Sequence, residues 1–229
     1  MPLMILLVSS IAAAQEDSGF SGRVGSVFDS VTRGINAVGE KAGALFGREA
    51  QTTACIRTRT VEAAYPVPQS AMVSITNEFG EVRVDVWDSN VVQIAAEIIV
   101  QADSPETADT VSGGIEIAVD HTKDAVEAKT VLPAPSQTGK PSITVNYEVK
   151  IPRTANLTCK NDFGDTFIAG VDGTVAVDAY YGSLNLQNVQ GTAHVRHRGG
   201  GEFELVADGL KQGGTFDLTG VQARFTETS

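Results

Sequence analysis

Aromatic residues make up only 6% of the 229-residue chain, with a single Trp, so the sequence offers few platforms on which sugar rings could stack. Cysteine is nearly absent, at two residues, which excludes a disulfide-stapled miniature fold and the four closely spaced ligands of a structural zinc site. Basic charge is scarce: 17 Lys and Arg stand against 28 Asp and Glu, a net charge of −11. A field of that sign repels phosphate backbones, so nucleic acid is not an expected partner. Long apolar runs are missing as well. The uncharged stretch over residues 1–14 is too short to span a bilayer, and no transmembrane span is expected.

That stretch ends in Ala12-Ala13-Ala14 before Gln15, the pattern of a secretory signal peptide, although no Lys or Arg precedes it. Export places the protein in the periplasm, on the outer surface or outside the cell. In such a compartment Cys55 and Cys159 can form one disulfide. Two isolated thiols are the alternative, because Cys159 falls among inward-facing residues of the repeat that follows.

Hydrophobic residues at 42% suffice for a core, and 23 glycines suit many tight turns. Residues 15–50 form a helical segment or linker. Within it Val24, Phe28, Val31, Ile35, Val38, Ala42 and Leu45 recur at helical steps of four and three, but five glycines from Gly25 to Gly47 weaken the helix unless its stripe is covered. Self-association through Arg23 to Gly47, or docking on the remainder of the chain, would cover it.

From Ile56 onward the apolar period becomes two. Val73 and Ile75, then Val82, Val84 and Val86, then Ile94, Ala96 and Ile98, and later Ile143, Val145, Tyr147 and Val149 alternate with polar neighbours, each group reading as a strand. Ser104-Pro105-Glu106 gives an N-cap followed by proline at the first helical position, so a short helix is expected near Thr107 to Val111. A loop is expected from Pro133 to Pro141.

Gly173, Gly191 and Gly209 recur at every eighteenth position; Gly164 and Gly182 share that step, and Gly200 continues it with one position of slack. The pairs Leu157/Cys159, Val175/Val177 and Ala193/Val195 superpose at the same interval. Each period holds two short alternating strands and two glycine turns, one coil of a β-solenoid. A longer correspondence sets Val73 to Glu81 against Leu157 to Asp165, so the strands from Val91 to Val149 read as an insertion that caps one end. The expected fold is all-β: a β-rich N-terminal part, then a right-handed, single-stranded β-solenoid or β-helix-like C-terminal part. The domain spans residues 56–225, behind the short helical segment.

The stretch Ile75-Thr76-Asn77-Glu78-Phe79-Gly80-Glu81-Val82-Arg83-Val84, the turn Trp87 to Val92, the run Tyr147 to Pro152 and the glycine-rich coils after it resemble the bacterial putative-adhesin family. The resemblance covers roughly Ile56 to Thr219 and implies a secreted or surface-attached β-solenoid without assigned catalytic residues.

The one basic cluster is His194-Val195-Arg196-His197-Arg198. The same repeat step sets Asp178 beside Arg196, Tyr180 beside Arg198 and Lys160 beside Asp178, which reads as an outward charge ladder. His194 and His197 face opposite sides of a strand and cannot share a metal. The cluster Asp178, Tyr180, His194, Arg196, His197 and Arg198 is therefore a candidate surface site, with no catalytic residue, metal or cofactor expected. Three functions fit: a non-catalytic binding or adhesion module for an envelope component, glycan or protein; a structural protein assembling through its coil ends; and a carbohydrate-active enzyme.

Overall fold

In the computed structural model the described residues are 54–134, 140–207 and 213–227. The expected signal peptide, the segment Arg23 to Gly47, most of the expected Pro133 to Pro141 loop, and Gly209 lie outside them. The strands are β1 (Cys55–Pro66), β2 (Met72–Phe79), β3 (Val82–Trp87), β4 (Val91–Ala102), β5 (Glu116–His121), β6 (Ala125–Val131), β7 (Ser142–Pro152), β8 (Asn156–Phe163), β9 (Thr166–Ala169), β10 (Val175–Tyr181), β11 (Leu184–Gln187), β12 (Ala193–Arg198), β13 (Glu202–Ala207), β14 (Gly214–Thr219) and β15 (Gln222–Glu227). One helix, α1 (Pro105–Gly114), separates β4 from β5. It begins as its sequence suggests: the Ser104 hydroxyl accepts a hydrogen bond from the Thr107 N–H at 3.2 Å.

The strands form two mixed, open sheets. One has eight strands in the order β1, β4, β7, β3, β9, β11, β13, β15; the other has seven, β14, β12, β10, β8, β2, β6, β5. From β8 onward successive strands alternate between the sheets, and from β10 onward each pairs in parallel with the strand two before it. Val175 pairs with Leu157 and with Ala193, and Leu184 with Thr166, so the repeat interval is the register itself. The longer correspondence is also register, since Val73 pairs with Leu157 and Val82 with Thr166. The inserted strands extend both sheets: β6 pairs with β2 and β7 with β3, while the antiparallel partners β4 and β5 lead to the edge. Helix α1 docks at that edge, where Arg57 pairs with Asp109 and Arg59 donates to the Ile115 carbonyl at 2.6 Å.

Inward residues follow the alternation. Val73, Leu157, Val175 and Ala193 stack across the seven-stranded sheet, with Ile75, Cys159, Val177 and Val195 one step along, all buried. Val84, Ile168, Leu186 and Leu205 face them from the other sheet. Each such valine, leucine or isoleucine side chain contributes about 1.5–3 kcal/mol on leaving water. Cys159 is fully buried as a free thiol, with its pKa pushed up to about 12 by desolvation, and the Cys55–Cys159 bridge is not formed. Cys55 opens β1 near the edge of the eight-stranded sheet, whereas Cys159 sits mid-sheet in the seven-stranded one.

Glycine is required where the turns between paired strands approach each other. Gly182, at φ +116°, would place a Cβ 2.3 Å from the Gly164 carbonyl oxygen. The residue stacked on Gly182 is Gly201, where a Cβ would come within 2.1 Å of its carbonyl oxygen. The sequence interval points instead to Gly200, whose Cβ would meet nothing within 4 Å. The segment between β12 and β13 carries an extra residue at this turn, and Phe203 accordingly pairs with Leu184 one position later than the interval requires.

Candidate functional site

The outer face of the seven-stranded sheet gathers the basic cluster. Register sets Asp178 of β10 between Lys160 of β8 and Arg196 of β12, and sets Asp217 of β14 beyond Arg196. Arg198 Nη2 donates to Asp178 Oδ1 at 3.2 Å, and Arg196 Nη1 lies 3.9 Å from Asp178 Oδ2. Arg196 Nε lies 3.7 Å from Asp217 Oδ2. Lys160 is in register with Asp178 as the spacing requires, yet its amine is 3.5 Å from Asp162 of its own strand. Such half-exposed pairs are each worth about 0–1 kcal/mol. Asp217 is an acidic partner that the sequence spacing hides. A fixed repeat step from Arg196 arrives at Gly214, but Gly214 pairs with Ala193 and it is Asp217 that pairs with Arg196.

The two histidines separate as their spacing dictates. His194 is exposed, with Nδ1 2.8 Å from the Thr215 hydroxyl, whereas His197 is fully buried. His197 Nε2 donates to the Gly182 carbonyl at 2.9 Å, and Nδ1 has no partner. Desolvation holds this imidazole below its ordinary pKa of 6.5, against the opposing pull of the Gly182 carbonyl. Its place is structural. One and two strands away in the same column stand Ala179 and Asn161, and the Asn161 amide donates to the Gly80 carbonyl at 3.0 Å and to the Gly164 carbonyl at 3.1 Å. His197 and Asn161 thus each tie a corner to a glycine carbonyl.

Tyr180 brings in a second feature. The Arg198 guanidinium carbon is 5.6 Å from its ring centre, close enough for a cation–π contact. Tyr180 meets Tyr181 edge to face at 4.6 Å, and Tyr181 stacks on Phe163 and Phe163 on Phe79, each at 5.4 Å and nearly parallel. Scarcity of aromatics suggests few platforms for stacking, but register concentrates four of them at one corner. The repeat step carries Phe163 onto Tyr181, and the longer correspondence carries it back onto Phe79, so the column is present in the sequence for a reader who follows both intervals. Phe163, Tyr180 and Tyr181 keep 42%, 40% and 42% of their surface in solvent, whereas Phe203 in the core keeps none.

The turn from Trp87 to Val92 is held by the Trp87 indole N–H, which donates to the Val91 carbonyl at 2.8 Å. Among the described residues no three His, Cys, Asp or Glu side chains group as metal ligands, and no helix is long and apolar enough to cross a membrane.

No family model and no curated protein matches the chain. Among solved structures, a putative cell adhesion protein from Clostridium sporogenes is similar at 11% identity with a TM-score of 0.49, covering 76% of this chain and 100% of that one. A putative adhesin from Parabacteroides distasonis aligns at 8% identity and TM-score 0.26, covering 76% and 95%. A putative lipid binding protein from the same organism aligns at 9% identity and TM-score 0.24, covering 76% and 97%. Likeness at this level carries no argument about what this chain does.

Proposed function

We propose that the protein is an exported, non-catalytic binding or adhesion module of the cell envelope, with a right-handed β-solenoid over its parallel-stranded part. It engages a glycan, envelope component or protein through the corner formed by Phe163, Tyr180, Tyr181 and Arg198. The observation that carries this reading is the exposure of three clustered rings, Phe163 and Tyr181 stacked in register and Tyr180 edge-on to Tyr181, beside a face of paired charges. Rings present for packing alone would be covered, as Phe203 is, and exposed clustered aromatics mark interaction surfaces. The carboxylates of Asp178 and Asp217 already lie against arginines, which supports a recognition face over general acid–base work.

The test is a glycan array and an envelope pull-down with the chain beginning at Gln15. Tyr180→Ala and Tyr181→Ala should abolish capture of any bound ligand while the melting curve stays near that of the parent. A ligand indifferent to both substitutions would overturn the assignment of the corner. Polysaccharide cleavage that disappears with Arg196→Ala would overturn the non-catalytic reading.

A further inference from the structure

The two ends of the sheets are finished differently. At the β1 and β5 end, α1 packs over the core, and the inward Arg57 and Arg59 are held by Asp109 and by the Ile115 carbonyl. Inward-pointing charges of this kind guard an edge strand against further pairing. At the other end, among the described residues, β14 and β15 are the outermost strands of their sheets. Their inward positions are apolar: Phe216 and Leu218 on β14 and Ala223 and Phe225 on β15, in register with buried Val195, His197, Phe203 and Leu205. Phe225 is 60% exposed, although it belongs to a cluster with Phe203 and Phe216 at 5.7 and 6.1 Å between ring centres. Two rows of edge N–H and C=O groups border this apolar surface.

We propose that this end is a self-association surface, on which two copies of the chain pair about a two-fold axis parallel to the strands, β14 of each against β15 of the other. The two strands are equal in length. Antiparallel overlap over the full length sets Asp217 opposite Arg224 of the second copy, Phe216 opposite its Phe225, and Leu218 opposite its Ala223. Inward residues therefore meet inward residues, and the outward acid meets the outward base. Pairing like with like fails this test. Full overlap of β14 on β14 sets Phe216 against Asp217, and full overlap of β15 on β15 sets Phe225 against Arg224. Complementarity of side-chain face and of charge thus selects one arrangement, and the two-fold closes it as a dimer. The edge guarded by α1 stays outside the interface, so the assembly stops at two copies instead of growing into a filament.

The experiment is sedimentation velocity and light scattering on the full chain over a range of concentrations. The parent should form a concentration-dependent dimer, and Phe225→Asp should be monomeric. Asp217→Arg and Arg224→Asp should each weaken the dimer by about tenfold or more, because each reverses two cross-strand pairs per dimer. The double variant, which restores opposite charges, should recover most of that loss. A parent that stays monomeric would overturn the proposal. So would a Phe225→Asp chain that still dimerises, which would direct attention to Arg23 to Gly47, or a double variant no tighter than the singles. If Phe225→Asp does not fold, the charge series decides alone. Asp217 and Arg224 are exposed, and Arg196 keeps its contact with Asp178 when Asp217 is changed.

Discussion

Gly182 and Gly200 have nearly the same backbone conformation, φ +116° and +120°, but different surroundings. At Gly182 a Cβ would sit 2.3 Å from the Gly164 carbonyl oxygen, while at Gly200 it would meet nothing within 4 Å. Substitution by alanine therefore separates conformational strain from contact between neighbouring turns. Gly200→Ala carries only the strain of positive φ, about 1–3 kcal/mol. Gly182→Ala carries that strain and must also push its turn away from the Gly164 backbone. The movement disturbs hydrogen bonds from Gly164 N–H to the Tyr181 carbonyl and from Thr166 N–H to the Ser183 carbonyl, at 2.9 and 2.8 Å. Weakening two such bonds adds about 1–3 kcal/mol. For a domain of this size the addition lowers Tm by about 2–12 °C relative to Gly200→Ala. Thermal melts followed by circular dichroism would read the difference directly. Equal losses of stability in the two variants would refute the stacked-glycine register, whatever the absolute values.

Cys159→Asp should unfold the domain, because it buries a carboxylate without a partner, whereas Lys160→Asp on the outer face should change stability by less than about 1 kcal/mol; comparable melts would contradict the face assigned to β8. His197, with a folded pKa depressed below 6.5, contributes stability that is complete above 6.5 and is lost as pH falls from there through the folded value. Glu97 and Glu148 act oppositely: burial raises their pKa above 4.5, so their contribution is complete below 4.5 and is lost as pH rises through the folded values. A pH series of urea denaturations should therefore show His197-dependent loss below 6.5. His197→Asn, which can still donate to the Gly182 carbonyl, should flatten it, and an unchanged slope would remove His197 as its source. Asp178→Ala, Arg198→Ala and their combination should couple by about 1 kcal/mol or less in a double-mutant cycle, and a larger coupling would mean that the pair is less screened than its exposure implies.

The strand alternation and its interval were legible because both are imposed by geometry. A side-chain period of two places Ile75, Cys159, Val177 and Val195 on one buried row, and glycines recurring at the repeat step mark where backbones come too close for a Cβ. The partition into two open sheets was less legible. An inserted strand such as β4, with Val92, Ile94, Ala96, Ile98 and Val100 inward, has the same alternation whether it caps an end or extends a sheet. What distinguishes the two is pairing partner, and only the parallel register of β7 on β3 and β6 on β2 reveals it.

The site was legible in proportion to how strictly the interval holds. Asp178, Arg196, Arg198 and Tyr180 were brought together by spacing alone, since β10 and β12 keep the same step along their whole pairing. Asp217 was hidden by the longer step into β14, and Gly201 by the extra residue between β12 and β13. The disulfide failed for a different reason. Cysteine count permits a bridge, but whether two thiols meet depends on which sheet each strand joins, and Cys55 and Cys159 join different ones. The aromatic column inverts the compositional argument. A low total says nothing about spacing, and a repeat that returns the same position to the same corner can align three rings as readily as three charges. Composition therefore bounds how much recognition surface the chain can carry, while register decides whether that surface is scattered or continuous.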